Sequence, residues 1–147
     1  MSVYNESLDT VGIIARAVNG EKPKYRVISG NSNLHFPHIP SRQVVVVVED
    51  ILSSIALARA GLDSVALLGT SLQGVDAHRI AHNREAVIGF FDPDKAGHQA
   101  YRRLRAAMQL HPVSVYKASA DKDPKYLSKD KLWRAINHAL NVQELKC

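Results

Sequence analysis

The chain has 147 residues, 46% of them hydrophobic, and a formal net charge of +5 with histidine counted as neutral. This length allows one compact domain with a core, and the excess of basic residues favours a polyanionic partner only weakly. The sequence has no apolar run near the roughly 18 residues of a membrane span and starts without the basic and apolar regions of a signal peptide. A soluble, cytoplasmic protein without a membrane partner is predicted. The single cysteine, Cys147, cannot build a disulfide framework or a thiolate zinc site from this chain alone.

Two strands are predicted in the first part of the chain, in the segments VGIIARAV and KYRVIS. They indicate a small N-terminal hairpin or subdomain within residues 1–40. The second part, residues 41–147, begins with QVVVVVE, a continuous β-branched run that is typical of a strand covered on both faces. Three further strands are predicted in DSVALLGT, EAVIGFF and PVSVYKA.

Helical patterns separate these strands, in SSIALARAG, LQGVDAHRIAHN and KAGHQAYRRLRAAMQL, the first of which ends at a glycine C-cap. Strands that alternate with helices of this length predict an α/β fold with a doubly wound, mainly parallel sheet of about four strands. An amphipathic helix, SKDKLWRAINHALN, closes the chain. Trp133 shares its helical spacing with Leu132 and Ile136, so we expect it in the core rather than as a platform for stacked bases.

Acidic residues follow two of the predicted strands. Glu49 and Asp50 close the first strand of the sheet, and Asp92 and Asp94 close the third. Ligands of doubly wound sheets collect at the carboxyl ends of strands, and carboxylates that meet there repel one another unless a cation such as Mg²⁺ neutralises them. A single D-x-D is equally typical of a turn followed by a helix N-cap at Asp94. Two acid pairs at separate strand ends favour the magnesium site, and Gly97 would permit close approach at the start of the next helix.

The order of these segments resembles the Toprim domain shared by topoisomerases and bacterial-type primases, and in particular the primase part of bacteriophage primase-helicase proteins. VVVVVEDILSSIALARAGLDSVALLGTSL resembles the first motif, with its glutamate and its G-T loop, and FFDPDKAGHQA resembles the D-x-D-x-A-G motif. KDPKYL is similar to the K-D-P segment of primases, and VYNESLDTVGIIARAVNGEKPKY to the strand, turn and strand that precede Toprim in them.

The resemblance implies nucleotidyl transfer in RNA primer synthesis on a single-stranded DNA template, with nucleoside triphosphates as substrates and Mg²⁺ or Mn²⁺ as cofactor. The catalytic residues that it implies are Glu49, Asp92, Asp94 and Lys24. The metal ligands that it implies are Glu49, Asp92 and Asp94, with Asp123 and Asp50 as two further candidates. Basic residues would contact the template or the nucleotide phosphates: Arg16, Lys24, Lys95 and Lys122. For Lys95 and Lys122, an ordinary solvated lysine is the alternative.

The sequence departs from the family pattern in its first motif. That motif reads E-G-x-x-D in the family, whereas here Asp50 replaces the glycine and Ser53 replaces the aspartate. Asp50 either substitutes for the missing carboxylate or is kept from doing so by its geometry. A full primase core also carries an N-terminal half and a zinc module, which we do not expect here. The chain therefore resembles the C-terminal part of a primase core. We expect this chain to synthesise primers poorly alone and to need a separate N-terminal part or a replicative helicase.

Two further functions fit the same residues: a Toprim nuclease that uses the metal site to cleave phosphodiesters, and a Toprim module without catalysis that binds DNA or a replication protein. Other polar residues are predicted to have simpler roles. Arg102, Arg103 and Arg105 are interpreted as a solvated helix face in preference to a nucleic-acid stripe. His78 and His82 lack the glutamate of a metalloprotease motif and are interpreted as surface or partner-binding residues.

Overall fold

The structure is a computed structural model that describes residues 1–20, 22, 25–30, 34–38, 40, 42–68 and 72–144. Its first part is a three-stranded antiparallel sheet in the order β1-β2-β3, formed by β1 (Ser2–Tyr4), β2 (Thr10–Arg16) and β3 (Tyr25–Gly30). The last two are the predicted strands. The first was not predicted, because three residues are too few to show an alternating pattern.

The main sheet has five strands in the order β4-β6-β5-β7-β8. Four of them match the predicted strands and pair in parallel, and β4 is an additional antiparallel strand at the β6 edge. The bounds of the strands are β4 (Leu34–His35), β5 (Val44–Val48), β6 (Ser64–Leu67), β7 (Ala86–Gly89) and β8 (Ser114–Lys117). The helices are α1 (Ile51–Arg59), α2 (Gly74–Ala81), α3 (Lys95–Met108), α4 (Lys129–Glu144) and a short 3₁₀ helix (Pro124–Tyr126).

Helices cover both faces of the main sheet, which explains the unbroken valine run of β5. Val46 and Val48 pack in one apolar cluster with α1 and α4, and Val45 and Val47 pack in a second cluster with α2 and α3. A strand that is buried on both faces can be apolar at every position. The predicted α/β, doubly wound and mainly parallel fold is confirmed.

The order of the strands creates a switch point between β5 and β7. From β5 the chain passes through α1 to β6 on one side, and from β6 it passes through α2 to β7 on the other side of β5. In doubly wound sheets a crevice opens at such a point, outside the carboxyl ends of the strands, because the two connections leave in opposite directions. The acidic residues of the sequence follow these two strands.

The N-terminal sheet contacts the main part of the protein. Glu6 and Arg79 form a two-point ion pair with distances of 2.5 and 2.8 Å, and the amide of Phe36 donates to the carbonyl of Tyr4 at 3.0 Å. Val3 and Ile14 lie in the same apolar cluster as β5. The division of the chain at residue 40 stays a prediction.

Two predicted details of the helices are present. Gly61 follows the end of α1 with a φ of +85°, a conformation that glycine adopts without strain. The Trp133 side chain is half-buried, and its indole Nε1 donates to the carbonyl of Ala60 at 2.8 Å. None of the helices in the described residues is long and apolar enough to cross a membrane.

A buried histidine lies on β4, a strand that was not predicted from the sequence. His35 is 2% exposed, and its Nδ1 accepts a hydrogen bond from the amide of Tyr4 at 3.2 Å. Its Nε2 has no hydrogen-bond partner among the described residues. Burial lowers the pKa of His35 from 6.5 to about 4, so the imidazole is neutral at physiological pH.

Candidate functional site

Two acidic residues, Glu49 and Asp92, lie at the carboxyl ends of neighbouring strands. Glu49 directly follows β5, and Asp92 lies three residues after the end of β7. The parallel register pairs Val47 with Gly89, and the amide of Phe90 donates to the carbonyl of Val47 at 2.9 Å. The two strands therefore end at the same edge of the sheet. The convergence that the sequence predicted for these acids is present at the switch point.

The half-buried carboxyl groups of this edge disfavour one another's ionisation. Burial raises the pKa of Glu49 from its ordinary value of 4.5 to about 7, with a contribution from repulsion by four carboxylates: Asp92, Asp94, Asp50 and Asp123. Burial also raises the pKa of Asp92, helped by a hydrogen bond with the carboxyl group of Asp123 and opposed by the charge of Lys125. Such shifts are typical of sites where a ligand supplies the missing positive charge.

Asp94 caps helix α3, as the alternative interpretation of the D-x-D predicted. Its Oδ1 accepts a hydrogen bond from the amide of Gly97 at 2.7 Å. A Cβ atom at position 97 would lie 2.0 Å from the carbonyl oxygen of Asp92, so only glycine fits this close approach between the helix and the strand end. Asp94 itself is exposed. The cap fixes its position beside Asp92 and engages one of its two carboxylate oxygens.

The two positions that depart from the family motif, Asp50 and Ser53, contact each other. Asp50 caps helix α1: its Oδ1 accepts from the amide of Ser53 at 3.0 Å, and its Oδ2 accepts from the hydroxyl of Ser53, also at 3.0 Å. Both residues are buried. The metal-binding role predicted for Asp50 stays a prediction, but its carboxylate is already bound by neighbouring donors.

Lys125, which was not among the predicted site residues, provides the third hydrogen bond to Asp50. Its Nζ lies 3.0 Å from Oδ2 of Asp50 and 2.6 Å from Oδ2 of Asp123. Burial lowers the pKa of Lys125, but the hydrogen bonds to Asp123 and Asp50 outweigh this effect and raise the pKa overall. One signal for Lys125 is present in the sequence, its position directly after K-D-P, but the family resemblance implied Lys122 as the basic residue of this segment.

The basic residues predicted to bind nucleic acid are placed as follows. Arg16 is exposed at the end of β2, Lys95 is exposed at the first position of α3, and Lys122 is exposed in the loop before the 3₁₀ helix. Lys24 and the predicted Gly69-Thr70 loop lie outside the described residues. Lys95 and Lys122 thus lie next to Asp94 and Asp123 in the sequence, and Arg16 lies on the separate N-terminal sheet.

The oxygen donors of this edge suit a hard divalent cation, although the described residues do not form a complete metal cage. Among the described residues, no group of three or more histidine, cysteine, aspartate or glutamate side chains is arranged to hold a metal ion. Magnesium usually takes only one or two protein carboxylates and completes its shell with water and substrate phosphates. The oxygen donors at Glu49, Asp92 and Asp94, and the repulsion between them, therefore fit such an ion.

The sequence model of a family described as Toprim-like matches residues 46–127, more than half of the chain. No curated protein matches the sequence. Among solved structures, the fold is similar to a DNA primase domain from Pseudomonas aeruginosa, with 20% sequence identity and a TM-score of 0.79 over 94% of this chain and 50% of that chain.

Two further solved structures share the fold. The DnaG primase catalytic domain bound to ssDNA is 19% identical, with a TM-score of 0.78 over 94% of this chain and 50% of that chain. The primase fragment of the bacteriophage T7 primase-helicase protein is 20% identical, with a TM-score of 0.63 over 95% of this chain and 61% of that chain. The chain thus spans about half the length of the first solved structures that it matches, and at these identities the likeness establishes the fold.

Proposed function

Because the chain belongs to the Toprim-like family, we propose that it is a phage primase module that catalyses metal-dependent nucleotidyl transfer in RNA primer synthesis during DNA replication in the host cytoplasm. The observation that carries this proposal is the meeting of Glu49 and Asp92 at the switch point, where repulsion contributes to the raised pKa of Glu49. The likeness to primase catalytic cores, one of them bound to ssDNA, supports nucleoside triphosphates and a single-stranded DNA template as substrates.

Glu49, Asp92 and Asp94 would hold Mg²⁺ or Mn²⁺. The bound ion would supply activation of the primer 3′-hydroxyl and neutralisation of charge on the triphosphate. The chain's own contribution is position: β5 and β7 carry Glu49 and Asp92 to one edge, and the cap of α3 holds Asp94 beside them. Rigid elements of this kind keep functional groups in place better than loops do.

Four basic residues would bind the phosphates of the template or of the nucleotide: Arg16, Lys24, Lys95 and Lys122. If they do, affinity for single-stranded DNA falls steeply with salt, because each phosphate contact releases condensed counterions. Lys122→Ala should weaken binding and lower the salt slope by about one. Lys129→Ala, at an exposed lysine that opens α4, is the matched control and should change neither quantity. An unchanged slope in Lys122→Ala would remove that residue from the proposed path.

A second protein part belongs to the proposal. Initiation requires two nucleotides and a template to be held together before any covalent link exists, and this orientation supplies much of the rate enhancement. We propose that an N-terminal primase part or a replicative helicase contributes this positioning. Activity on a template with a pre-made primer end should therefore exceed synthesis without a primer.

The deciding experiment incubates the purified chain with Mg²⁺ or Mn²⁺, labelled nucleoside triphosphates and a primed single-stranded template. We expect primer extension, its loss in Asp92→Asn, and its retention in Asp121→Asn, which removes an exposed acid from the loop before the 3₁₀ helix. Shortened strands in place of extended ones would favour the Toprim nuclease. Binding without either product would favour the module without catalysis.

Metal binding is tested separately by calorimetry in the absence of nucleic acid. We expect Mn²⁺ to bind the wild-type chain more tightly than the double variant Asp92→Asn with Asp94→Asn. Equal affinities would remove the metal site and, with it, the proposed chemistry.

A further inference from the structure

The acidic site already contains a positive charge of its own, the ammonium group of Lys125. Its Nζ lies between Asp50 and Asp123, at 3.0 and 2.6 Å from one carboxylate oxygen of each. The Lys125 side chain is only 7% exposed, so water does little to screen these contacts. The group therefore acts as a fixed cation within the site.

The backbone around Lys125 holds the ammonium group in this position. Lys125 is the middle residue of the 3₁₀ helix. Pro124 begins this helix and is buried. This short helix packs against α1, the helix that Asp50 caps. The Nζ of Lys125 also lies 5.2 Å from the centre of the Tyr126 ring, close enough for a cation–π contact. The contacts of Lys125 thus come from two segments of the chain, its own 3₁₀ helix with the preceding Asp123, and Asp50 at the start of α1.

This cation divides the carboxylates of the edge into two groups. In the first group, Asp50 and Asp123 contact the ammonium group directly, and Asp50 also accepts two hydrogen bonds from Ser53. In the second group are the acids that no ammonium group contacts in this way among the described residues: Glu49, Asp92 and Asp94. A divalent ion that approached the first group would displace or repel a buried positive charge, whereas the second group attracts it.

We propose that Lys125 is a resident cation that occupies the Asp50–Asp123 half of the site, so that the chain binds a single divalent ion on the Glu49–Asp92–Asp94 half. The inference rests on the proposed function, which supplies the divalent ion. It gives one explanation for three residues: Asp50 and Ser53, which depart from the family motif, and Lys125, which binds Asp50. The five carboxylates have charge enough for more than one divalent ion, and the ammonium group takes the place of one.

The test counts Mn²⁺ ions bound per chain, by calorimetry and by the loss of the electron paramagnetic resonance signal of unbound Mn²⁺. We expect one ion in the wild-type chain and two in Lys125→Gln, which removes the charge and exposes Asp50 and Asp123 to the metal. Lys129→Gln, at the exposed lysine that opens α4, is the matched control and should bind one ion. Without metal, Lys125→Gln should also unfold at a lower temperature than wild type. Adding Mn²⁺ should raise the unfolding temperature of Lys125→Gln by more than it raises that of wild type.

The two counts test different claims. A wild-type chain that binds no Mn²⁺ overturns the proposed metal site. A Lys125→Gln chain that binds no more ions than wild type overturns the role of Lys125, whatever the wild-type count is. Two ions in wild type overturn that role without any variant. Lys125→Met, which retains an apolar side chain in the buried position, replaces Lys125→Gln if the latter does not fold.

Discussion

Acidic side chains lie at the amino edge and at the carboxyl edge of the main sheet, where its parallel strands begin and end, and their surroundings differ. At the amino edge, directly before β6, Asp63 is 4% exposed and contacts the buried guanidinium group of Arg84 at 2.9 Å. The amide of Arg42 donates to Asp63 at 2.7 Å, and Nε2 of His38 lies 3.6 Å away. At the carboxyl edge, Glu49 is surrounded by other carboxylates, which contribute to its raised pKa.

The difference separates an acid that is paired within the fold from acids that repel one another, as the proposed metal site requires. Removing one partner of a buried ion pair strongly destabilises a protein, because the other charge is left buried and unpaired. Carboxylates that face one another reduce stability until a cation binds. Lys125 shows an intermediate case, in which one half of the carboxyl edge is neutralised by the chain itself.

The largest expected effect comes from breaking the ion pair between Asp63 and Arg84 at the amino edge. Asp63→Asn leaves Arg84, whose side chain is 5% exposed, without its negative partner, and we expect a loss of about 3 kcal/mol in the free energy of unfolding. Urea denaturation at pH 7.5 measures it, with the exposed Asp121→Asn as control, which should stay within about 0.5 kcal/mol of wild type. Equal values for the two variants would show that Asp63 is no better paired than a surface acid.

The second effect comes from His35, whose titration must be separated from that of the acids. The folded pKa is about 4 and the unfolded value 6.5, so only the unfolded chain gains a proton between these values. Stability should therefore fall with decreasing pH from 6.5 towards 4, by about 2 kcal/mol at pH 4.5. His35→Asn, which keeps an acceptor for the amide of Tyr4, should lose this acid-side fall in urea denaturation across the pH range. A fall of the same size in the variant would assign it to other groups.

The third effect concerns the carboxyl edge. The pKa of Glu49 is raised to about 7 in the folded chain, so ionisation of Glu49 reduces stability as the pH rises from 4.5 through 7. At pH 8 without metal, Glu49→Gln should be more stable than wild type by about 1 kcal/mol, a figure reduced for the partial exposure of the group. Thermal denaturation with and without Mg²⁺ measures it, and Mg²⁺ should remove the advantage. A less stable Glu49→Gln at pH 8 would contradict the comparison.

The smallest effect on stability separates the two roles of Asp94. Asn also caps helices well, so Asp94→Asn should change the free energy of unfolding by less than about 0.5 kcal/mol, whereas Asp94→Ala should cost about 1 kcal/mol. Both variants should bind Mn²⁺ more weakly than wild type in calorimetry. If Asp94→Asn kept the wild-type affinity, Asp94 would be a helix cap and nothing more.

The parts of the fold that could be predicted from sequence are those with strong local patterns. The valine run before Glu49, the helices between strands and the acids at strand ends follow from periodicity and from the topology of parallel sheets. The two-residue strand β4, which contains the buried His35, could not be predicted. Its strand conformation depends on pairing with β6 and not on a local sequence pattern.

The contacts of the site were less predictable than its location. The alternatives for Asp50 depended on which donors would reach it, and one of them, Lys125, is 75 residues away in the sequence. The position of Lys125 depends on a 3₁₀ helix of three residues, which has no periodic signal. Asp94 shows the opposite case: both interpretations of the D-x-D were available from sequence, and the structure bears out the cap while the metal role stays a prediction.

The contact at Gly97 limits how the site can change during evolution. Helix α3 approaches the strand end so closely that any side chain at position 97 would collide with the carbonyl group of Asp92. The backbone that carries Asp92 and the first turn of α3 therefore lie in direct contact, with no room between them for a side chain at position 97. We therefore expect the proposed metal site to vary through the side chains that project into it, such as those at 49, 94 and 125, and less through this backbone.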